Sequence, residues 1–116
     1  MGEKIDKGKE GEDIALNYLI SKGFKIIQRN FSSLNSEIDI ICHKNGMLVF
    51  VEVRLKQNAD FGYPEQSMSK AKINAIKRGA EAYLHKFPWE GEARFDFIAI
   101  IEQPTFELRH FEDAFY

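Results

Sequence analysis

The stretch from Met47 to Lys56, MLVFVEVRLK, constrains the fold of this 116-residue chain more than any other. Its β-branched and aromatic residues predict a strand, in which successive side chains point to opposite faces. One face then carries Val49, Val51, Val53 and Leu55, and the other carries Phe50, Glu52, Arg54 and Lys56. A carboxylate within such an apolar strand is costly unless a positive charge accompanies it. Glu52 therefore indicates a cation.

A second β-like segment, residues 37–43, carries another acid among isoleucines, Asp39. The Lys44-Asn45-Gly46 sequence between the two segments is typical of a hairpin turn, so the strands are expected to be antiparallel neighbours. Two adjacent strands, each with an acid in an apolar setting, predict carboxylates brought together around a cation.

The rest of the chain predicts two helices and three further strands around this hairpin. Helices are expected at residues 8–22 and from Ser67 or Ser69 to residue 86 or 87, and further strands at 24–31, 94–101 and 106–110. Residues 57–66 form a loop longer than most. The order αβββαββ predicts one α/β domain, residues 1–116, with a mixed central sheet flanked by helices.

The first predicted helix adds a third acid. At 100° per residue, its apolar residues fall on one continuous arc, made by Ile14, Ala15, Leu16, Tyr18 and Leu19. Glu12 lies inside that arc, so it is the acid of this helix that points toward the core.

Composition limits the classes of function. The chain is 44% hydrophobic and 29% charged, values typical of a globular protein. It has no apolar stretch of about 20 residues and no signal-peptide segment, so no membrane association is expected. A lone cysteine, Cys42, cannot form an internal disulfide, which favours a cytoplasmic protein. The net charge of −2 means that nucleic-acid binding would require a local basic patch.

These acids predict a site for Mg²⁺ or Mn²⁺, which prefer one or two carboxylates and keep several waters. Asp39 and Glu52 are the expected ligands, with the backbone carbonyl of Val53 as a third oxygen. Glu12 would assist, directly or through water. Arg54, on the same face as Glu52, would hold a phosphate or its transition state.

Other interpretations of the charged residues remain open. Acids and bases on neighbouring strands often form plain ion pairs, for which Glu37 with Arg54 and Arg94 with Asp96 are the candidates. Lys72, at the border of the second helix's apolar face, could line a phosphate path or be a snorkelling lysine. The histidines (His43, His85 and His110) show no metal-ligand spacing and are interpreted as ordinary surface or edge residues.

Asp39 and Glu52-Val53-Arg54 in an αβββαβ order resemble the PD-(D/E)xK superfamily, which has the restriction-endonuclease-like fold. The whole chain resembles, more narrowly, the YraN-like family of predicted endonucleases, distantly similar to archaeal Holliday-junction resolvases. The matching residues run from end to end: Gly8, Gly11-Glu12, Ala15, Tyr18-Leu19, Gly23, Asn30, Glu37-Ile38-Asp39, Phe50 to Arg54, Phe61-Gly62, Lys72 and Arg94-Phe95-Asp96. This resemblance implies metal-binding roles for Asp39 and Glu52, with Glu12 assisting.

Two positions depart from the family pattern. Ser36 stands where the family usually has glycine, and Arg54 stands where the superfamily motif has lysine. Arginine stabilises phosphate charge but stays protonated and cannot act as a base. Activation of a water would therefore depend on the metal or on Lys56, two residues beyond Arg54 on the same face.

The resulting hypothesis is a Mg²⁺- or Mn²⁺-dependent endonuclease that hydrolyses DNA phosphodiesters, in particular those of branched or structured DNA. The alternative is a catalytically silent nucleic-acid-binding or adaptor module on the same fold, and a third interpretation is a scaffold with ion-paired acids. A homodimer is a further hypothesis, in which an apolar end formed by Phe111, Phe115 and Tyr116 packs against a second copy.

Overall fold

A computed structural model describes residues 7–33, 35–60 and 62–115, with the side chains of Lys7, Gln66 and Ser67 left out. Its elements follow the order α1 (Lys7–Ser21), β1 (Lys25–Ser33), β2 (Ser36–Lys44), β3 (Met47–Lys56), a 3₁₀ turn (Pro64–Ser67), α2 (Lys70–Lys86), β4 (Ala93–Ile101) and β5 (Glu107–Phe111). The αβββαββ order predicted from the sequence is confirmed. Ser69 caps α2, because its side chain accepts a hydrogen bond from the Lys72 N–H.

In the described part of the chain, five strands form one sheet in the order β1-β2-β3-β4-β5. All neighbours are antiparallel except β3 and β4, which α2 connects as a crossover. The sheet is therefore mixed, as expected. No helix of the described residues has the length and apolar character needed to cross a membrane.

The two helices cover opposite faces of the sheet. Ala15 and Leu19 of α1 pack on the face that carries Val49 and Val51, and Ala80 and Tyr83 of α2 pack on the face that carries Phe50. The alternation of side chains along β3 is thus the one that its sequence predicts. Because β3 is covered on both sides, Glu52 has only 4% of its surface exposed.

Strands β1 and β2 change faces at one shared point. Arg29 lies opposite Ile40 and Phe31 opposite Ile38. Arg29 bonds to α1, whereas Phe31 packs on the α2 side, although residues two apart in a regular strand share a face. Asn30, between them, has a φ of 53°, which is the left-handed region that asparagine tolerates. This irregularity lies opposite Asp39 on β2.

Two of the C-terminal aromatics expected at a dimer contact, Phe111 and Phe115, lie against Phe97 of β4. Phe115 is only 8% exposed and packs with Phe97, their ring centroids 6.1 Å apart, and Phe111 lies 6.3 Å from the same ring. Phe115 therefore belongs to the chain's own core, and the homodimer stays a prediction. Tyr116 lies outside the described residues.

Gly79 allows α2 to approach β2 closely. A Cβ at this position would lie 2.6 Å from the Ser36 hydroxyl oxygen, which donates a hydrogen bond to the Ser33 carbonyl. In the wild-type background, Gly79→Ala should change the free energy of unfolding little. The helix preference of alanine over glycine, about 0.5–1 kcal/mol, is offset by loss of the Ser36–Ser33 hydrogen bond. In a Ser36→Ala background the same substitution should stabilise by about 0.5–1 kcal/mol. Urea unfolding of the four variants measures this coupling, and equal effects in both backgrounds would contradict it.

Candidate metal centre

Three acids from two elements converge beside the irregularity in β2. Glu12 of α1 and Glu37 and Asp39 of β2 each present a carboxylate oxygen, and these atoms lie within 4.8 Å of one another. Glu37 is exposed, Asp39 is half-buried, and the Glu12 side chain is 12% exposed. The structure thus brings together two predicted site residues, Glu12 and Asp39, and adds Glu37. Its position two residues before Asp39 in the same predicted strand was the available signal, since a regular strand would place both on one side.

Asp39 links this cluster to Glu52. Its Oδ2 accepts a hydrogen bond of 2.8 Å from the Val53 N–H, and its carboxyl lies within hydrogen-bonding reach of the Glu52 carboxyl. Burial and the Glu52 charge raise the pKa of Asp39 to about 7, although the Val53 N–H opposes the shift. Like charges this close favour a shared proton or a cation between them.

Val53 contributes backbone groups at the edge of β3. The N–H and C=O of one residue in a strand point to the same side, so the carbonyl of Val53 is directed to the side on which Asp39 lies. This placement is compatible with the predicted third oxygen ligand.

The charge of Glu12 is partly balanced by an arginine of the sheet, Arg29. Arg29 of β1 lies 3.4 Å from Glu12 and 2.7 Å from Asp13. Burial and the charge of Asp39 nevertheless raise the pKa of Glu12, with Arg29 acting in the opposite direction. Glu12 is therefore another carboxylate that a cation would stabilise.

Glu52 lies on the α2 side and has two cationic neighbours. The Arg54 Nε is 3.3 Å and the Lys72 Nζ is 3.7 Å from Glu52 Oε2. The side chains of Arg54 and Lys72 are 40% and 36% exposed, so both also reach solvent. Arg54 is paired with Glu52 and not with Glu37. Arg54 and Lys72, the residues predicted to bind substrate, therefore both lie beside Glu52.

Lys56 lies further along β3 and is engaged elsewhere. Its Nζ donates a hydrogen bond of 3.4 Å to the Gly62 carbonyl, which fixes the loop after β3. Two residues along a strand span about 6.6–6.8 Å, so Lys56 is displaced from the acids relative to Arg54. Its predicted catalytic role has less support from the geometry than that of Arg54.

Two further interpretations from the sequence have clear outcomes. Arg94 and Asp96 form an ion pair of 2.9 Å, as one alternative expected. His110 is not an ordinary edge residue, because its side chain is 8% exposed and its Nε2 lies 2.7 Å from Asp96 Oδ2. The partner comes from a different strand, so sequence spacing gave no signal for it.

The acids are accessible from two open clefts that share Glu37. One, of about 620 Å³, is lined by Glu12, Arg29 and Glu37 among others. The other, of about 580 Å³, is lined by Glu37, Lys72 and the serines around the β1–β2 turn. The two clefts together extend past the acids from α1 to α2.

The donor set fits a hard divalent cation. Two oxygens bound to one Mg²⁺ at 2.0–2.1 Å are at most about 4.2 Å apart. The oxygens of Glu12, Glu37 and Asp39 lie within 4.8 Å of one another, so a small movement of flexible side chains would suffice. Burial, and after it the charges of neighbouring acids, raise the pKa values of Glu12 and Asp39, and a bound cation would oppose both effects.

Comparison with known proteins places the chain in a family. Residues 11–100 match the model of "Uncharacterised protein family UPF0102". The chain is 44% identical to a UPF0102 protein of Persephonella marina over 95% of this chain and 96% of the relative. It is also 40% identical to one of Flavobacterium psychrophilum over 100% and 98% of the two chains. A similar protein of Dictyoglomus turgidum is 43% identical over 90% of each. The chain therefore belongs to the UPF0102 (YraN-like) family, as its sequence motifs indicated.

Proposed function

We propose that this protein is a divalent-metal-dependent endonuclease acting on DNA. The observation that carries the proposal is the convergence of Glu12, Glu37 and Asp39 within 4.8 Å, directly beside Glu52 and its two cationic neighbours. Acids that repel one another, next to cations that reach solvent, form a site for a metal ion and a phosphodiester. Mg²⁺ is the preferred ion on the chemistry of the donors, and Mn²⁺ suits the same oxygens.

The roles of the acids follow from their positions. Asp39 is the central ligand, because it touches both the Glu12–Glu37 pair and Glu52. Glu52 and the Val53 carbonyl would complete the set from β3, with Glu12 acting directly or through a water. A bound Mg²⁺ would lower the pKa of a water and neutralise phosphate charge.

Arg54 and Lys72 would hold the substrate phosphate. Both contact Glu52 at 3.3–3.7 Å, so a cation bound to that carboxylate would compete with them and turn them toward a substrate anion. Arg54 can then donate two hydrogen bonds to phosphate oxygens, and Lys72 adds a point charge. Because arginine stays protonated, neither the proton of the attacking water nor that of the leaving group is assigned to Arg54.

Metal binding and cleavage can be tested separately. A Mn²⁺ titration monitored by electron paramagnetic resonance should show one class of bound ion. Asp39→Asn should lower the affinity of the protein for that ion. Single-turnover cleavage of duplex, flapped and four-way DNA should then require both the metal and Asp39. Glu81→Gln, which removes an exposed acid of α2 outside the site, is the matched control. Cleavage that is equal in wild type and Asp39→Asn would overturn the proposal.

A second function, a silent nucleic-acid-binding module, is favoured by one observation. Arg54 and Lys72 both pair with Glu52 and keep more than a third of their surface exposed, so they could bind a nucleic-acid phosphate with no metal bound. This alternative predicts DNA binding with unchanged affinity in EDTA and no single-turnover product with Mn²⁺. The endonuclease proposal predicts product.

Substitutions of two cations on β3 rank their contributions. Arg54→Ala should lower single-turnover cleavage by on the order of 10²–10³-fold, the effect of losing one charge-stabilising donor, and Arg54→Lys should keep much of the rate. Lys56→Ala should change the rate little, because its ammonium is bonded to the Gly62 carbonyl. If Lys56→Ala proved the more damaging change, Lys56 and not Arg54 would be the key cation.

A further inference from the structure

A second polar site lies at the other end of β3 from the acids. A cavity of about 410 Å³ opens there, between the end of α1, the β2–β3 hairpin and β5. Its polar lining consists of Tyr18, Lys22, Lys44, Asn45, Arg94, His110 and Glu112. Met47, which also borders it, precedes Glu52 by five residues, or about 17 Å along a strand. The cavity is thus separate from the candidate metal centre.

A fully buried carboxylate holds two residues of the cavity lining, Arg94 and His110. Asp96, 0% exposed, accepts hydrogen bonds from Arg94 at 2.9 and 3.1 Å and from the Asp113 N–H at 3.0 Å. Its Oδ2 lies 2.7 Å from His110 Nε2. Burial alone would raise the pKa of Asp96, but these bonds lower it. The carboxylate therefore stays charged and fixes Arg94 and the imidazole in place.

The imidazole of His110 in turn positions the hydroxyl of Tyr18. His110 Nδ1 lies 3.0 Å from the Tyr18 hydroxyl. If His110 is neutral with its proton on Nε2, the Tyr18 hydroxyl must donate to Nδ1. If His110 is protonated on both nitrogens, Nδ1 donates instead, and the Tyr18 O–H is free to donate elsewhere. An anion near Tyr18 would favour the second arrangement.

The rim of the cavity has an excess of positive charge. Neither Lys22 nor Lys44 has a carboxylate partner among the residues that the structure describes. The Lys44 Nζ donates to the Lys22 carbonyl at 2.6 Å and lies 5.2 Å from the Phe24 ring centroid. Glu112, the rim's one acid in the described chain, is 3.6 Å from Arg94. This local excess contrasts with the net charge of −2 of the whole chain.

We propose that this cavity binds a phosphate group, carried either by inorganic phosphate or by a nucleotide. A tetrahedral oxyanion can accept hydrogen bonds from two lysines, a guanidinium and a hydroxyl, which is the set of donors present. Binding releases the Tyr18 hydroxyl toward the anion, and His110 then takes up one proton from solvent on Nδ1. The charged groups around this imidazole and its cavity are Asp96 and Arg94 from β4, Lys22 just after α1, Lys44 from β2 and Glu112 after β5.

The proposal is independent of the metal centre and is tested on the intact protein in EDTA at constant ionic strength. Inorganic phosphate, adenosine 5′-monophosphate and adenosine are titrated by calorimetry and by backbone amide NMR. Phosphate and the monophosphate should bind and adenosine should not. The Lys22→Gln/Lys44→Gln variant should bind on the order of tenfold more weakly, as expected for two lost charge-assisted bonds. Lys25→Gln, which removes a nearby exposed lysine, should bind as wild type does.

A second readout separates binding here from binding at Arg54 and Lys72. Imidazole ¹⁵N spectra at fixed pH should show His110 gaining a proton on Nδ1 as phosphate is added, a signal that binding at Arg54 and Lys72 would not give, and Tyr18→Phe should reduce affinity. Tighter binding of the monophosphate than of phosphate would identify a nucleotide as the source, and the reverse would identify the free ion. Equal affinity in wild type and the double variant, or binding of adenosine alone, would overturn the proposal.

Discussion

Asp39→Asn is expected to reduce Mn²⁺-dependent single-turnover cleavage by on the order of 10³-fold, because a metal ion supplies several kcal/mol of transition-state stabilisation. Asp39 lies next to both the Glu12–Glu37 pair and Glu52. It lies with Glu12 and Glu37 within 4.8 Å and within hydrogen-bonding reach of Glu52. Its amide replacement keeps the shape and removes the charge. Gel-based assays with excess protein measure the rate directly.

Substitutions of the other acids should damage the site to different degrees, according to the burial and contacts of each acid. Glu52→Gln should be about as damaging as Asp39→Asn, and the double variant no worse than the more damaging single variant, since ligands of one ion act as a unit. Glu37→Gln, at the exposed edge of the cluster, should weaken metal affinity by on the order of 10–100-fold. Equal rates for Glu37→Gln and the Glu81→Gln control would remove Glu37 from the site.

Without metal, the wild-type protein is expected to lose stability as the pH rises from about 4 to 7. The pKa of Asp39 in the folded protein is about 7, against an ordinary value of 3.8. Between these values the folded state holds a proton that the unfolded state has lost, so the free energy of unfolding falls as the pH rises. The slope is at most about 1.4 kcal/mol per pH unit. Thermal melts in EDTA across this range give the curve.

Asp39→Asn should flatten that curve and melt at a higher temperature than wild type in EDTA at pH 8. Added Mn²⁺ should restore wild-type stability, by about 2.7 kcal/mol at a free concentration of 100 Kd, and the variant should gain less. Glu52→Gln should have a smaller effect, because it also leaves Arg54 and Lys72 unpaired. A variant that melts lower than wild type, with no metal response in wild type, would mean that the acids serve as structural ion pairs.

Much of the fold was predictable because its signals are local. The alternation in β3, the Asn-Gly turn before it and the Ser69 cap are read from neighbouring residues, and each is present in the structure. The parallel β3–β4 pair follows in the same way, because a helix as long as α2 lies between the strands. Asp39 and Glu52 were identified as neighbours for this reason, since a short hairpin fixes which residues lie side by side.

The rest depended on contacts between residues far apart in the chain. The sequence around Glu37 is that of an exposed strand acid, and only the packing of α1 places Glu12 beside it. The change of faces at Asn30 and Asp39 cannot be recognised from the hydrophobic pattern. His110 is an edge residue by alternation, yet Asp96 and Tyr18 enclose it from two other elements. Local patterns in the sequence therefore predict the elements and the paired acids of β2 and β3. Which other charges meet depends on how distant elements pack, because electrostatic energy depends on distance and burial.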